Sequence, residues 1–227
     1  MKVFFSWDDG AEEDVKLMEL HCKYNIPGMF FVPTKNREGR KVIDKNIIKK
    51  FDSNIIFFGG HTQNHTYLTK IPINYVKSEV EDNKKYLEDI VGHEIKHFCL
   101  PGGAYNADIL SIIKPMFSTI RTADTMNFNN GYLIKPSFHF YPRGIRSLLI
   151  NGICHESYGQ VMFIVRNMKT SYFDLIESIV SNEFKNQTSS NIHIWGHSWE
   201  IEKLDLWKRV ERLFELVCTY NIARQYE

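Results

Sequence analysis

No two cysteines in this sequence stand close enough to read as a Cys-x-x-Cys pair. The four, Cys22, Cys99, Cys154 and Cys218, are spread along 227 residues. Neither a zinc ribbon nor a disulfide framework is expected, and all four read as reduced, mostly buried thiols. Excess charge of either sign is also missing, with 28 basic residues against 27 acidic ones. No basic run is long enough for a nucleic-acid or heparin patch, so nucleic acid drops out of the expected partners. No apolar stretch approaches the length of a membrane span. No leader is visible either, because Lys2 is followed at once by a strand-like run and two acids; the expected location is cytoplasmic. Linkers, repeats and low-complexity segments are absent, and residues 1–227 read as a single domain. Asn64-His65-Thr66 and Asn186-Gln187-Thr188 match the glycosylation acceptor pattern, which carries no meaning in that compartment.

What is present is an alternation of short apolar runs with amphipathic ones. Residues 3–7, 28–32 ("GMFFV"), 55–58 ("IIFF"), 96–100 ("KHFCL") and 191–195 ("NIHIW") read as strands. Residues 12–24, 43–51, 73–91, 109–116, 173–184 and 206–220 read as helices; in 73–91, Ile73, Val76, Val80, Leu87 and Val91 recur at helical spacing. The stretch 127–159 is less regular. Apolar strands without clean alternation are buried on both faces, as in a parallel sheet flanked by helices. The expected class is α/β, a barrel or a doubly wound sheet. Most of the sixteen Phe, eleven Tyr and four Trp are expected in its core.

Several of these strands end in polar residues. The first runs into Asp8-Asp9-Gly10, the third into His61-Thr62-Gln63-Asn64-His65, the fourth into Pro101-Gly102-Gly103 and the last into Gly196-His197. Parallel strands present their carboxyl ends on one side of an α/β fold, where sites are built. Two Asp and three His are thereby expected on one rim. A four-residue spacing places His61 and His65 on one side of a helical turn or a compact loop. With one carboxylate they make three protein ligands, the usual count for a catalytic metal that keeps a position open. A cation also answers the repulsion between Asp8 and Asp9, since one can ligate it while the other stays off it as a base. Read alone, "DDG" is a turn or a helix cap. His197 is placed to act as a general acid, and Trp195 and Trp199 flank it as walls of an apolar pocket or as ordinary packing.

These residues, in this order, resemble the polysaccharide deacetylase family (NodB-like, carbohydrate esterase family 4). The first family motif, Thr/Ser-Phe-Asp-Asp-Gly, reads Ser6-Trp7-Asp8-Asp9-Gly10 here, and the second, His-Ser/Thr-x-x-His, reads His61-Thr62-Gln63-Asn64-His65. The likeness runs from residue 3 to about 106 and returns at 192–200. It implies a distorted (β/α) barrel of about seven parallel strands. It implies Asp8 as catalytic base, His197 as catalytic acid, and Asp9, His61 and His65 as ligands of one divalent metal. Zinc is the first expectation, with cobalt, nickel, iron and manganese also compatible. Gly102 would supply an oxyanion amide and Trp195 an acetyl-pocket wall. The implied activity is removal of acetyl from an N-acetylated carbohydrate, with a nucleotide- or lipid-linked sugar or an imported oligosaccharide as the form a cytoplasmic enzyme could reach. Two departures stand out. The third motif carries no Arg, with Arg121 or Arg143 as candidate replacements, and the fourth-motif Asp has Asp124 as its best candidate. The missing Arg keeps open a hydrolase of cyclic imides or ureides, and a silent sugar-binding domain is the remaining alternative. Oligomeric state does not follow from the sequence.

Overall fold

The computed structural model describes residues 2–129, 131–186 and 190–220; the pattern Asn186-Gln187-Thr188 extends outside the described residues. Among these residues the strands are β1 (Lys2–Asp8), β2 (Gly28–Val32), β3 (Ile56–Gly60), β4 (His97–Cys99), β5 (Thr119–Arg121), β6 (Leu133–Ile134), β7 (Phe138–His139) and β8 (Asn191–Gly196). The helices are α1 (Asp14–Tyr24), α2 (Lys45–Phe51), α3 (Ile73–Val91), α4 (Ala107–Ile113), α5 (Ile145–Cys154), α6 (Tyr158–Arg166), α7 (Tyr172–Lys185), α8 (Ser198–Lys203) and α9 (Trp207–Thr219). Local chemistry sets several boundaries. Asn25 in the left-handed region returns its N–H to the end of α1, and Gly92 does the same for α3. Pro115 has no N–H to continue a helix, so the expected helix 109–116 is α4 followed by a separate 3-10 turn, Lys114–Met116.

All strand pairs are parallel, in the order β6-β5-β4-β3-β2-β1-β8-β7. That is eight strands where about seven are expected; β5, β6 and β7 are two or three residues long, too short to leave a pattern in the sequence. The sheet is not flat. β5 lies four strand spacings from β1, about 19 Å in a plane, yet Arg121 on β5 hydrogen-bonds Asp8 on β1. The sheet therefore curls on itself as the NodB-like distorted (β/α) barrel.

β2 is buried on both faces along its length, and most other strands nearly so, while the edge strand β6 is half-buried. Phe5 and Trp7 of β1, Phe30 of β2, Ile120 of β5 and Ile194 of β8 join the large core that also holds Leu17, Val80 and Phe214 of the outer helices. The alternate positions face the barrel interior, where Met29, Phe31 and Cys99 pack together. Of the four thiols only Cys99 is buried; Cys22 and Cys154 are exposed and Cys218 is intermediate. The expectation of mostly buried thiols fails because the other three lie on helices, whose outer faces meet water.

Two buried histidines are held neutral. Trp7 Nε1–H donates to His21 Nε2 at 2.8 Å, and His21 Nδ1–H donates to the Ile26 carbonyl at 2.7 Å. The ring presses so closely on β2 that a Cβ at Gly28 would stand 2.7 Å from it. His193 shares a 2.7 Å hydrogen bond with Ser6 Oγ. Burial lowers His21 to about 4 and His193 to about 3, the latter helped by the Arg121 charge. The unfolded chain protonates both near pH 6.5 while the folded chain does not, so their contribution to stability is complete above that pH and is lost as pH falls toward these values. Urea unfolding at pH 6 and pH 5 should show the wild type losing about 1.2 kcal/mol more over that interval than His21→Gln; equal losses would refute the assignment.

Candidate active site

The site begins where β1 ends. Asp9 (φ 78°) and Gly10 (φ 60°) are both left-handed, a conformation that turns the chain sharply and sends neighbouring side chains apart. Asp8 points into the barrel, and Asp9 faces the loops beyond the strand ends. Gly10 is required twice over, by its φ and because a Cβ there would meet Val32 Cγ1 at 2.7 Å.

Asp8 meets a single buried cation. Arg121 Nη2 donates to both of its oxygens and to Cys99 Sγ, the last at 2.8 Å, while Nη1 donates to the Thr122 carbonyl at 2.9 Å. The guanidinium stands 4.6 Å from the Trp195 ring and 5.3 Å from that of Phe31. Burial opposes ionisation of Asp8, but the Arg121 charge, hydrogen-bonded to the carboxylate, outweighs it and holds the carboxyl below its ordinary range. Register explains how the arginine arrives. Cys99 occupies the third-motif position on β4, and its partner across the ladder on β5 is Arg121.

Asp9 meets two imidazoles. His65 Nε2 lies 3.0 Å and His61 Nε2 3.6 Å from Asp9 Oδ1, an oxygen that is buried and accepts no hydrogen bond. Trp199 Nε1–H donates to the other oxygen at 2.9 Å. His61 donates Nδ1–H to the Cys99 carbonyl at 2.8 Å, which leaves an Nε2 lone pair directed at the cluster. Burial alone would raise the Asp9 carboxyl, and the facing rings hold it far below the usual carboxylate range. The donor atoms of Asp9, His61 and His65 lie within 4.8 Å of one another. A carboxylate and two imidazole nitrogens, with one carboxylate oxygen lacking a donor, fit a divalent cation.

The two histidines come from a loop rather than a helical turn. Thr62 and His65 are left-handed, which brings both rings to the same side. Asn83 of α3 anchors the loop. Its Oδ1 accepts from His61 N at 2.7 Å, and its Nδ2 donates to the Val32 carbonyl and Thr34 Oγ1. Glu79 holds Asn64 through both carboxylate oxygens.

His197 follows β8 and precedes α8. Its Nδ1–H donates to Glu200 Oε2 at 2.7 Å, and His139 Nε2–H donates to the same oxygen at 3.0 Å. Arg143 Nη2 donates to His139 Nδ1 at 2.8 Å, which fixes the neutral tautomer of that ring. Glu200, opposed by burial but held by both histidines, is lowered to about 2. Burial lowers His197, and the Glu200, Asp9 and Asp8 carboxylates more than reverse this, leaving it raised.

One cavity of about 410 Å³ collects these groups, lined by Asp8, Asp9, His61, His65, Gly102, Trp195, His197 and Trp199 among others. Asp124 is not part of its wall; it pairs with Lys135 at 3.5 Å, and the carboxylate on His197 is Glu200. Arg143, the other candidate for the third-motif position, is committed to His139 rather than Asp8. Trp195 stacks on His139 with centroids 4.0 Å apart, and Trp199 holds Asp9 as well as facing the cavity. Sequence reasoning missed Glu200, His139 and Arg40, whose guanidinium sits 4.0 Å from the Trp199 ring. Glu200 had a signal, an acid three residues after a histidine at a helix start; His139 lies on the two-residue strand β7 and Arg40 in a loop, neither of which leaves one.

Residues 1–117 match the family model described as Polysaccharide deacetylase. Among solved structures, the chain is similar to a family 4 carbohydrate esterase from Streptomyces lividans in complex with acetate, at 13% identity and TM-score 0.62, covering 98% of this chain and 91% of that one. It is also similar to a family 4 carbohydrate esterase from Bacillus anthracis, at 11% identity and TM-score 0.59, covering 98% and 78%. The Streptococcus pyogenes deacetylase PplD in complex with acetate shares 21% identity at TM-score 0.50 over 54% of this chain and 56% of that one, so the match spans about half of that protein's length. At these identities the likeness is one of fold. No curated protein matches the chain.

Breaking the buried pair should expose its cost. Arg121→Met leaves a buried carboxylate without its cation and should cost about 3–5 kcal/mol in urea unfolding at neutral pH. Adding Asp8→Asn should recover most of the loss. A single variant as stable as the wild type would mean that Asp8 is compensated elsewhere.

Proposed function

The chain belongs to the polysaccharide deacetylase family, and from that premise we propose that it is a metal-dependent hydrolase that removes acetyl from an N-acetylated sugar. The observation that carries the reading is the single cavity shared by Asp8, Asp9, His61, His65 and His197: a three-donor cation site with a separate carboxylate and a separate imidazole beside it. A pure binding module has no use for the last two.

Asp9, His61 and His65 would hold the cation, with zinc as the first choice. When bound, it supplies Lewis acidity that makes water a usable nucleophile near neutral pH and stabilises negative charge on a carbonyl oxygen. Asp8, kept ionised by Arg121, accepts the proton of the attacking water. Arg121 is a positioning residue, because it acts through Asp8. His197 delivers the proton on Nε2 to the amide nitrogen as the C–N bond breaks, and acetate and a free amino sugar leave. Gly102 and Trp195 line the space for the acetyl group. Two of the similar structures hold acetate, the product of such a reaction. The imide or ureide alternative drew its strength from the missing third-motif arginine, and the guanidinium on Asp8 removes that ground.

Metal analysis joined to an acetate assay over N-acetyl sugars tests the proposal. Asp8→Asn should keep its metal and lose about 10²–10⁴ in kcat. Loss of metal together with activity would make Asp8 a ligand rather than the base, and activity retained would remove Asp8 from the reaction. A metal-loaded wild type that releases no acetate from any sugar would leave the silent-domain alternative standing.

Glu200 allows a separate test. Its negative charge raises His197, so Glu200→Gln should let His197 lose its proton at lower pH. The alkaline limb of kcat/KM should then move to lower pH, while the acid limb stays in place. An unmoved alkaline limb would show that His197 is not the acid Glu200 supports.

A further inference from the structure

The irregular middle of the sequence folds into a feature that the site does not use. α5 and α6 are joined by residues 155–157 and pack together, with Gly152 against Val161. Their inner faces are anchored by the buried Leu148 and Ile164. Their outer faces carry Ile150, Ile153, Tyr158, Met162 and Val165, with Met168 just beyond; these six are among nine large hydrophobic side chains that stand well exposed in the described residues. On each helix the exposed apolar positions recur at three- and four-residue spacing, so they form a stripe. Scattered exposed apolar residues need no explanation, but a concentration on one helix pair marks a contact surface.

The charges around the stripe are mainly positive. Arg146, Arg166 and Lys169 are exposed beside it, against a single acid, Glu156. Among the described residues, none of the three cations forms an ion pair with a carboxylate. A second copy of this face would bring cation against cation. Nucleic acid would offer no partner for Ile, Met and Val. An anionic bilayer supplies both halves of the complement, headgroup phosphates for the cations and an acyl boundary for the apolar stripe.

We propose that the α5–α6 pair is a docking surface for an anionic lipid bilayer. Its position bears on the catalytic cavity. Arg143, which lines that cavity, is followed at once by Gly144, the residue capping α5, and Ile150 stands only about 7–8 Å along the helix from its start. A chain docked by this face holds its cavity beside the headgroup layer. Resting on the deacetylase reading, this points to an N-acetylated sugar carried on a lipid as the substrate class.

The test is sedimentation of the full chain with phosphatidylcholine vesicles, with and without phosphatidylglycerol. The wild type should bind the anionic vesicles and release them as salt rises. Ile153→Glu with Met162→Glu should abolish binding. Arg146→Gln with Lys169→Gln, which leaves the apolar stripe intact, should weaken it about fivefold per charge removed. Both double variants should keep the wild-type circular dichroism spectrum and the wild-type rate on a soluble N-acetyl oligosaccharide. Absence of vesicle binding, or binding indifferent to phosphatidylglycerol, would overturn the proposal. So would light scattering that shows a dimer dissolved by the Glu variants, which would make a second copy the occupant. Vesicle binding does not depend on catalysis, so a wild type that docks but releases no acetate refutes the deacetylase reading and leaves the docking surface in place.

Discussion

Two adjacent carboxylates, both buried, have to be compensated at the end of one strand. Neither can be left alone in the interior, where an unpaired charge costs several kcal/mol. The left-handed turn at Asp9 and Gly10 resolves the conflict by sending the two side chains to different partners. Asp8 goes inward to Arg121 and Asp9 goes outward to His61 and His65. Much of the surrounding structure serves this division. The sheet has to curl for Arg121 to reach across four strands, and Trp195 and Phe31 enclose the guanidinium that results.

The same economy appears on the opposite wall. Glu200 takes hydrogen bonds from two histidines at one oxygen, and Arg143 closes the chain by occupying the remaining nitrogen of His139. His139 is left with a defined tautomer and His197 with a fixed orientation. The cavity thus has one buried arginine behind Asp8 and one chain of charges, running from Glu200 through His139 to Arg143, behind His197. Both arginines come from outside the motifs that carry Asp8 and His197. The second also ties the cavity to the helix pair that follows it, since Gly144 caps α5.

Much of the fold was legible because its signals are local. The run "GMFFV" is β2 with its bounds unchanged, and the helical spacing between Ile73 and Val91 marks α3 to the residue. The motifs around Asp8, His61 and His197 were readable for the same reason, each being a few consecutive residues at a strand end. The short strands β5, β6 and β7 were not, because two or three residues leave no period. Nor was the helix pair α5–α6, which begins in the irregular stretch 127–159 and runs past it, because apolar residues there face outward as well as inward and blur the pattern.

The sequence by itself determined which residue types stand at the strand ends, and so the chemistry the rim can carry. Tertiary structure alone decided their partners. Asp124, nearest in pattern to the expected orienting acid, turns to Lys135, while the carboxylate on His197 is Glu200, in the first turn of α8. Arg121 reaches Asp8 through its register opposite Cys99. Such choices depend on strand pairing and on the curl of the sheet, contacts between residues some 60 to more than 100 positions apart, which no local pattern encodes.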